Sequence, residues 1–274
     1  MSDLQRKLSD KDLLFMTETL IPEREDKEHL VALLRDDAEF IEAMLQADKL
    51  FERICTDREI LVKISPRLFF AVLLRRARKD LQKEAYTIER SHRQRIPVFD
   101  SQRVADILHK REVPDYLADM LASFTRVESF SLPIRIRRGI WYRYRFSDMD
   151  IDGLIRYCQA IEEGQRFAFY KRIADVCLFL CSIFPEYIES QKRYPWRGVG
   201  RLRLLGQHPR TMEEYREEGK GFYERAAQHE AAQAAALDRI LAKLAQSFLE
   251  AQKALAYMAD RYLRFNKENL FAVE

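Results

Sequence analysis

The residues best suited to chemistry lie near the middle of the chain. Between Phe130 and Phe146, five arginines (Arg135, Arg137, Arg138, Arg143 and Arg145) occur with no acidic residue among them. Ile134, Ile136, Ile140, Tyr142, Tyr144 and Phe146 alternate with them, the two-residue period of a half-buried strand, and Arg138-Gly139 falls at the turn. The expectation is a hairpin with Arg143 and Arg145 on one face and Tyr142 and Tyr144 on the other. Guanidinium groups so arrayed can straddle phosphates or enter a minor groove, which makes nucleic acid the first ligand class to consider. The alternative is a solvated arginine face over an aromatic core.

Just downstream, Asp148, Asp150 and Asp152 alternate and are followed by Gly153. Alternating carboxylates before a tight turn suit a hard cation, calcium or magnesium; they equally suit the N-terminus of a helix, where negative charge complements the macrodipole. Cys177 and Cys181 stand one helical turn apart in an apolar run. No His or second Cys pair has ligand spacing nearby, so they read as small buried hydrophobes. Asp175, among Ile173, Ala174, Val176 and Leu178, needs a partner if buried, and Lys171 stands four residues before it.

Three short stretches resemble known motifs. Asp148 to Ile155 resembles the first eight positions of an EF-hand calcium loop, although Arg156 stands ninth and Gln159 twelfth, where that loop carries a bidentate Glu. Arg203 and His208 have a spacing similar to the Arg-x4-His motif of HEPN-type ribonucleases, an all-helical superfamily. That resemblance implies Arg and His on one helix face, acting on the ribose hydroxyl and the phosphate; here Gly206 and Pro209 oppose a helix. The order strand, helix, helix, hairpin over 96–146 resembles a winged helix-turn-helix. It is carried by Ile96 to Phe99, by helices starting at Asp100 and Pro114, and by a wing ending Trp141 to Phe146. The resemblance implies that the second helix reads a groove. Its expected exposed positions, Asp115, Ala118, Asp119 and Ala122, carry carboxylates that repel phosphate, which suits a protein partner better.

Elements that would position these residues are signalled along the chain. Ser9-Asp10, Asp26 and Asp37 open short amphipathic helices. Ser65-Pro66 opens a longer one to about Tyr86, apolar first and basic last, as the macrodipole favours. Thr87 to Arg95 reads as a polar loop, and Ile96 to Phe99 as a short edge strand. Ser147 to Asp150 caps a helix, and a largely apolar helix from about Gln165 to Phe184 is expected to be central. Residues 190–210 read as a long loop and Thr211 as a helix start. From Leu237 through Leu241, Leu244, Phe248, Ala251, Leu255 and Met258 to Tyr262, apolar residues step by four and three, a coiled-coil-like seam on one continuous helix.

Composition bounds the answer. Of 274 residues, 47% are hydrophobic and 33% charged, with only 8 Gly and 8 Pro, which favours helices over a turn-rich all-β fold. A net charge of +3 carries no whole-chain nucleic-acid signal, so any such signal is local. No apolar run is long enough to span a bilayer, no signal peptide is expected from the charged N-terminal residues, and four cysteines without framework spacing suit a reducing compartment. The expected fold is mostly α: a multi-helix bundle with one small β-hairpin and a long C-terminal helix, in three regions, 1–95, 96–146 and 147–274. The expected function is that of a non-enzymatic cytoplasmic binding or regulatory protein. It contacts nucleic acid or a protein through the basic hairpin, needs no cofactor or membrane, and forms a homodimer through the C-terminal seam. The competing expectation is a helical enzyme, using either a metal at Asp148, Asp150 and Asp152 or the Arg203/His208 pair.

Overall fold

A computed structural model describes residues 8–35, 37–57, 59–91, 94–126, 128–137, 140–193, 210–263 and 270–271. Among them are fifteen α-helices and two separate two-stranded antiparallel sheets, a mostly α fold. The chain forms two compact units, Met1–Thr125 with Lys253–Glu274, and Arg126–Gln252. The stretch 96–146 is therefore shared: its first strand and two helices belong to the first unit and its hairpin to the second.

The first unit is organised on α6 (Pro66–Leu81), which follows α1 (Asp10–Leu20), α2 (Lys27–Leu34), α3 (Ala38–Leu45), α4 (Asp48–Thr56) and the single turn α5 (Ile60–Lys63). Ser65 caps α6, its hydroxyl accepting from the Leu68 N–H, with Pro66 in the first turn where no N–H is needed. Asp12, fully buried, ties two helix starts together. Its carboxylate accepts from the backbone N–H of Ser9 and of Ser65, at 3.1 and 2.7 Å, and from both hydroxyls at 2.8 Å. Leu68, Phe70, Leu73, Leu74 and Ala77 of α6 are buried against α7 (Ser101–Ile107) and α8 (Glu112–Ser123) among others, and Phe70 stacks on Phe271 at 5.6 Å.

Two expectations change in this unit. The polar run from Thr87 is β1 (Thr87–Ser91), paired with β2 (Gln94–Val98), so there are two hairpins rather than one. The strand signal was hidden because both faces of a small exposed hairpin carry polar residues, leaving no clean alternation. The second change concerns α8. Asp115 and Ala118 are buried, Asp119 pairs with Arg67, and Ala122 is half-buried. None of the four is freely exposed, because α8 is packed by α6 along the side where solvent was expected.

The second unit starts with β3 (Ser129–Arg137) and β4 (Ile140–Ser147), then α9 (Ile151–Ala160), α10 (Phe167–Ile183) and α11 (Pro185–Arg193). After residues 194–209 come α12 (Met212–Gln228), α13 (Glu230–Ala234), α14 (Asp238–Gln246) and α15 (Phe248–Tyr262). Every residue of α10 from Ile173 to Ile183 is buried, as its apolar circumference requires. α12 packs on α10 and α14, and its Gly219 leaves room for α10 and the first residue of α15. A Cβ there would lie 2.6 Å from the Phe248 ring and 2.9 Å from Cys177 Cβ. Thr211 opens α12 with a reciprocal capping box to Glu214. The C-terminal seam is interrupted at Ser247 (φ −121°, ψ 39°), which separates α14 from α15, and Ala236, just before the seam, takes φ 54°. The boundary between the two units falls inside α15.

Candidate nucleic-acid interface

The β3–β4 register fixes which residues share a face. Phe130 stands opposite Phe146, Leu132 opposite Tyr144 and Ile134 opposite Tyr142; Ser131 stands opposite Arg145, Pro133 opposite Arg143 and Arg135 opposite Trp141. Cross-strand partners share a side of the sheet, so the register puts one set of apolar positions, Phe130 and Phe146 among them, on one face and the positions of Arg143 and Arg145 on the other. A register shift between Arg135 and Arg137 marks a bulge next to the turn. Arg143 and Arg145 are exposed, and no carboxylate among the described residues pairs with either. Arg138, and the side chains of Arg135 and Arg137, lie outside the described part of the structure.

The root of the hairpin is held by aromatic packing. Phe130 stacks on Phe146 at 5.8 Å and meets Phe169 of α10 edge-on at 5.9 Å, while Tyr157 of α9 lies 4.8 Å from Phe169. Gly153 lets the first turn of α9 close on this cluster, since a Cβ there would sit 2.7 Å from Phe146 Cγ. The basic face is thus carried by a fixed base rather than a free loop.

The three aspartates beyond β4 do not converge. Asp148 is buried, accepts from the Glu128 N–H at 3.1 Å and pairs with Arg172. Asp150 caps α9, accepting from the Gly153 N–H at 3.0 Å. Asp152 accepts from Arg210 at 2.5 Å, and Arg210 also binds Glu218 at 2.6 Å. Burial would lower the Arg210 pKa, but Asp152 and Glu218 more than offset it and hold the guanidinium charged. Among the described residues, no group of three or more His, Cys, Asp or Glu is placed to hold a metal ion. Millimolar calcium is expected to leave the melting temperature unchanged, and Asp150→Ala to cost ~1 kcal/mol as a lost helix cap whether or not calcium is present. A calcium-dependent rise in melting temperature, abolished by Asp150→Ala, is the result that would restore a metal site.

Asp175 is buried and doubly partnered, by Lys171 at 2.7 Å, as its i−4 spacing predicts, and by the Tyr223 hydroxyl at 2.8 Å. Burial pushes the Cys181 thiol up to about 12, Cys158 to about 11 and Cys177 well above its usual value, which disfavours the thiolate at all three. Arg203 and His208 lie outside the described residues. Sequence reasoning missed one cluster altogether. Arg75, which reads as a cation suited to the end of α6, is only 4% exposed, and it donates to Glu42 at 2.9 and 2.6 Å and to Asp115 at 2.7 Å. No local spacing links residues 42, 75 and 115, so no sequence signal pointed to it.

Compared with known protein families, curated proteins and solved structures, the chain matches none.

Proposed function

We propose that the protein is a non-enzymatic nucleic-acid-binding protein that grips the phosphate backbone with the β3–β4 hairpin. The observation that carries this reading is the hairpin's exposed basic face. Arg143 and Arg145 project from one side with no carboxylate partner among the described residues, and the sequence from Ser129 to Ser147 contains no acid. In this reading the hairpin contacts backbone rather than reading bases. The burial of α8 supports that emphasis, because a helix packed on its expected reading face has little left to offer a groove. The three aspartates favour this reading over a metal-dependent enzyme, since each already engages an arginine or a backbone N–H. A cytoplasmic location goes with the same reading, where thiols stay reduced; all four cysteines are free.

Fluorescence anisotropy with a labelled duplex of about 20 base pairs tests the proposal. Arg143→Ala with Arg145→Ala should weaken binding and reduce the slope of log K against log salt by about 2, close to one unit for each phosphate no longer neutralised. Equal binding by the double variant, or no binding by the wild type even at low salt, would redirect the hairpin to a protein partner.

A further inference from the structure

The β1–β2 hairpin of the first unit displays an exposed apolar strip that its own packing does not use. In its register, Ile88 stands opposite Pro97, with Thr87 opposite Val98. One step further out, the Tyr86 and Phe99 rings meet edge-on at 6.2 Å. Tyr86, Ile88, Pro97 and Phe99 therefore share one side of the hairpin. Phe99 is 82% exposed, Ile88 50% and Tyr86 45%. Large apolar side chains presented together to water mark a binding surface more often than a lone exposed residue does.

The chemistry beside the strip identifies the occupant. Further along the same register, Arg90 stands opposite Arg95, and from Arg90 to Phe99 the sequence holds Arg90, His92, Arg93 and Arg95 without a single acid. Aromatic rings followed along the strands by arginine positions are the two components that bind a single nucleic-acid strand: rings for unstacked bases, cations for phosphates. A duplex, whose bases are stacked inward, offers nothing to the Phe99 ring.

The strip also stands on a fixed base. Asp100, directly after Phe99, accepts from Thr87 and pairs with Lys253, which also binds Glu89 at 2.5 Å. The Ser101 hydroxyl donates to the Glu84 carbonyl at 2.6 Å. Burial would lower the Lys253 pKa, but Asp100 and Glu89 raise it, so the clamp stays charged at neutral pH. These bonds hold the hairpin from its other face and leave the aromatic strip outward.

We infer that the Tyr86–Phe99 strip with Arg90 and Arg95 is a docking surface for single-stranded nucleic acid, separate from the β3–β4 hairpin and independent of its proposed role. The test is anisotropy with a labelled oligothymidylate of about 12 nucleotides, within the usual footprint of such sites. Phe99→Ala should bind it about tenfold more weakly with an unchanged salt slope, because a lost stack releases no counterions. Phe99→Trp should bind at least as well as wild type. Arg90→Ala with Arg95→Ala should flatten the salt slope instead. Since Phe99 is mostly exposed, its variants should melt with the wild type, which separates binding loss from unfolding. Oligothymidylate binding that survives Phe99→Ala but is lost in Arg143→Ala with Arg145→Ala would overturn this inference and sustain the β3–β4 reading. Single-strand binding lost in Phe99→Ala, with no duplex binding by the wild type, would do the reverse. A wild type that ignores the oligonucleotide at low salt but binds an acidic peptide or anionic vesicles would overturn it in favour of those occupants.

Discussion

Arg75→Met should be among the most damaging single substitutions in the first unit, at a cost of ~3–5 kcal/mol. The side chain it removes is the cation shared by Glu42 and Asp115, all three of them buried. Methionine fills similar volume but leaves two carboxylates facing one another away from water. Domains of this size are stable by only about 5–15 kcal/mol, so a large fraction of the folding free energy would be lost. In the intact cluster the two acids respond differently. Burial pushes Glu42 up, but the paired bonds from Arg75 more than reverse this and leave it below its usual value. Burial also pushes Asp115 up, and its single bond to the same guanidinium does not restore it.

The pH dependence follows from those directions. Glu42 contributes stability that is present above its unfolded pKa and lost as pH falls through its depressed folded value. Asp115, raised, contributes in the opposite sense, its share declining as pH rises through its folded value. In Arg75→Met both acids lose their cation, and burial, no longer opposed by Arg75, should raise the folded pKa of each. The native state then holds more protons than the unfolded state, and the variant should regain stability as pH is lowered from 7 towards about 5. Urea unfolding followed by helical circular dichroism at both pH values measures this. Adding Glu42→Gln and Asp115→Asn to Arg75→Met should recover much of the loss, because neutral partners remove the buried charge. An Arg75→Met protein within about 1 kcal/mol of wild type at pH 7 would show that the cluster is held together by packing alone.

Leu244→Asp and Leu255→Asp should each unfold the unit that contains them, rather than release a folded monomer. Both leucines are completely buried within the chain, as are Leu241, Phe248, Ala251 and Met258 of the same seam. Losing a buried leucine forfeits ~1.5–3 kcal/mol of transfer energy, and an unpartnered carboxylate in its place adds several kcal/mol more. Circular dichroism with light scattering reads the outcome. A variant that keeps its helical signal while its mass halves would make the seam an interface between copies. Loss of helical signal at unchanged or aggregated mass places it in the subunit core, which is where the fully buried side chains put it.

Local sequence determined the class, most of the helices and the basic hairpin. Short-range signals suffice for these: Ser65-Pro66 starts α6, Asp150 caps α9, the capping box at Thr211 starts α12, and two-residue alternation sets the β3–β4 faces. Each depends on residues within one turn or one strand pair, so it is written in adjacent positions. The Lys171–Asp175 pair was legible for the same reason, at i and i+4. The C-terminal periodicity was legible as a buried stripe, but its partner was not. A stripe of leucines demands cover without naming it, and the cover comes from within the chain, with a break at Ser247 that an unbroken period conceals.

Only the tertiary structure decided which charged and apolar residues are free to act. Asp115 looked like an exposed carboxylate on a reading helix, yet it is locked to Arg75, forty positions away. Two aspartates of the apparent calcium loop are taken by Arg172 and Arg210, far along the chain. The polar run at Thr87 became a strand because β2 pairs with it and Lys253, near the far end of the sequence, clamps its other side. Burial and ion pairing are sums over neighbours that the chain brings together only on folding. Residue type and spacing therefore nominate a site, and the three-dimensional environment decides whether its charges and rings remain available to a ligand.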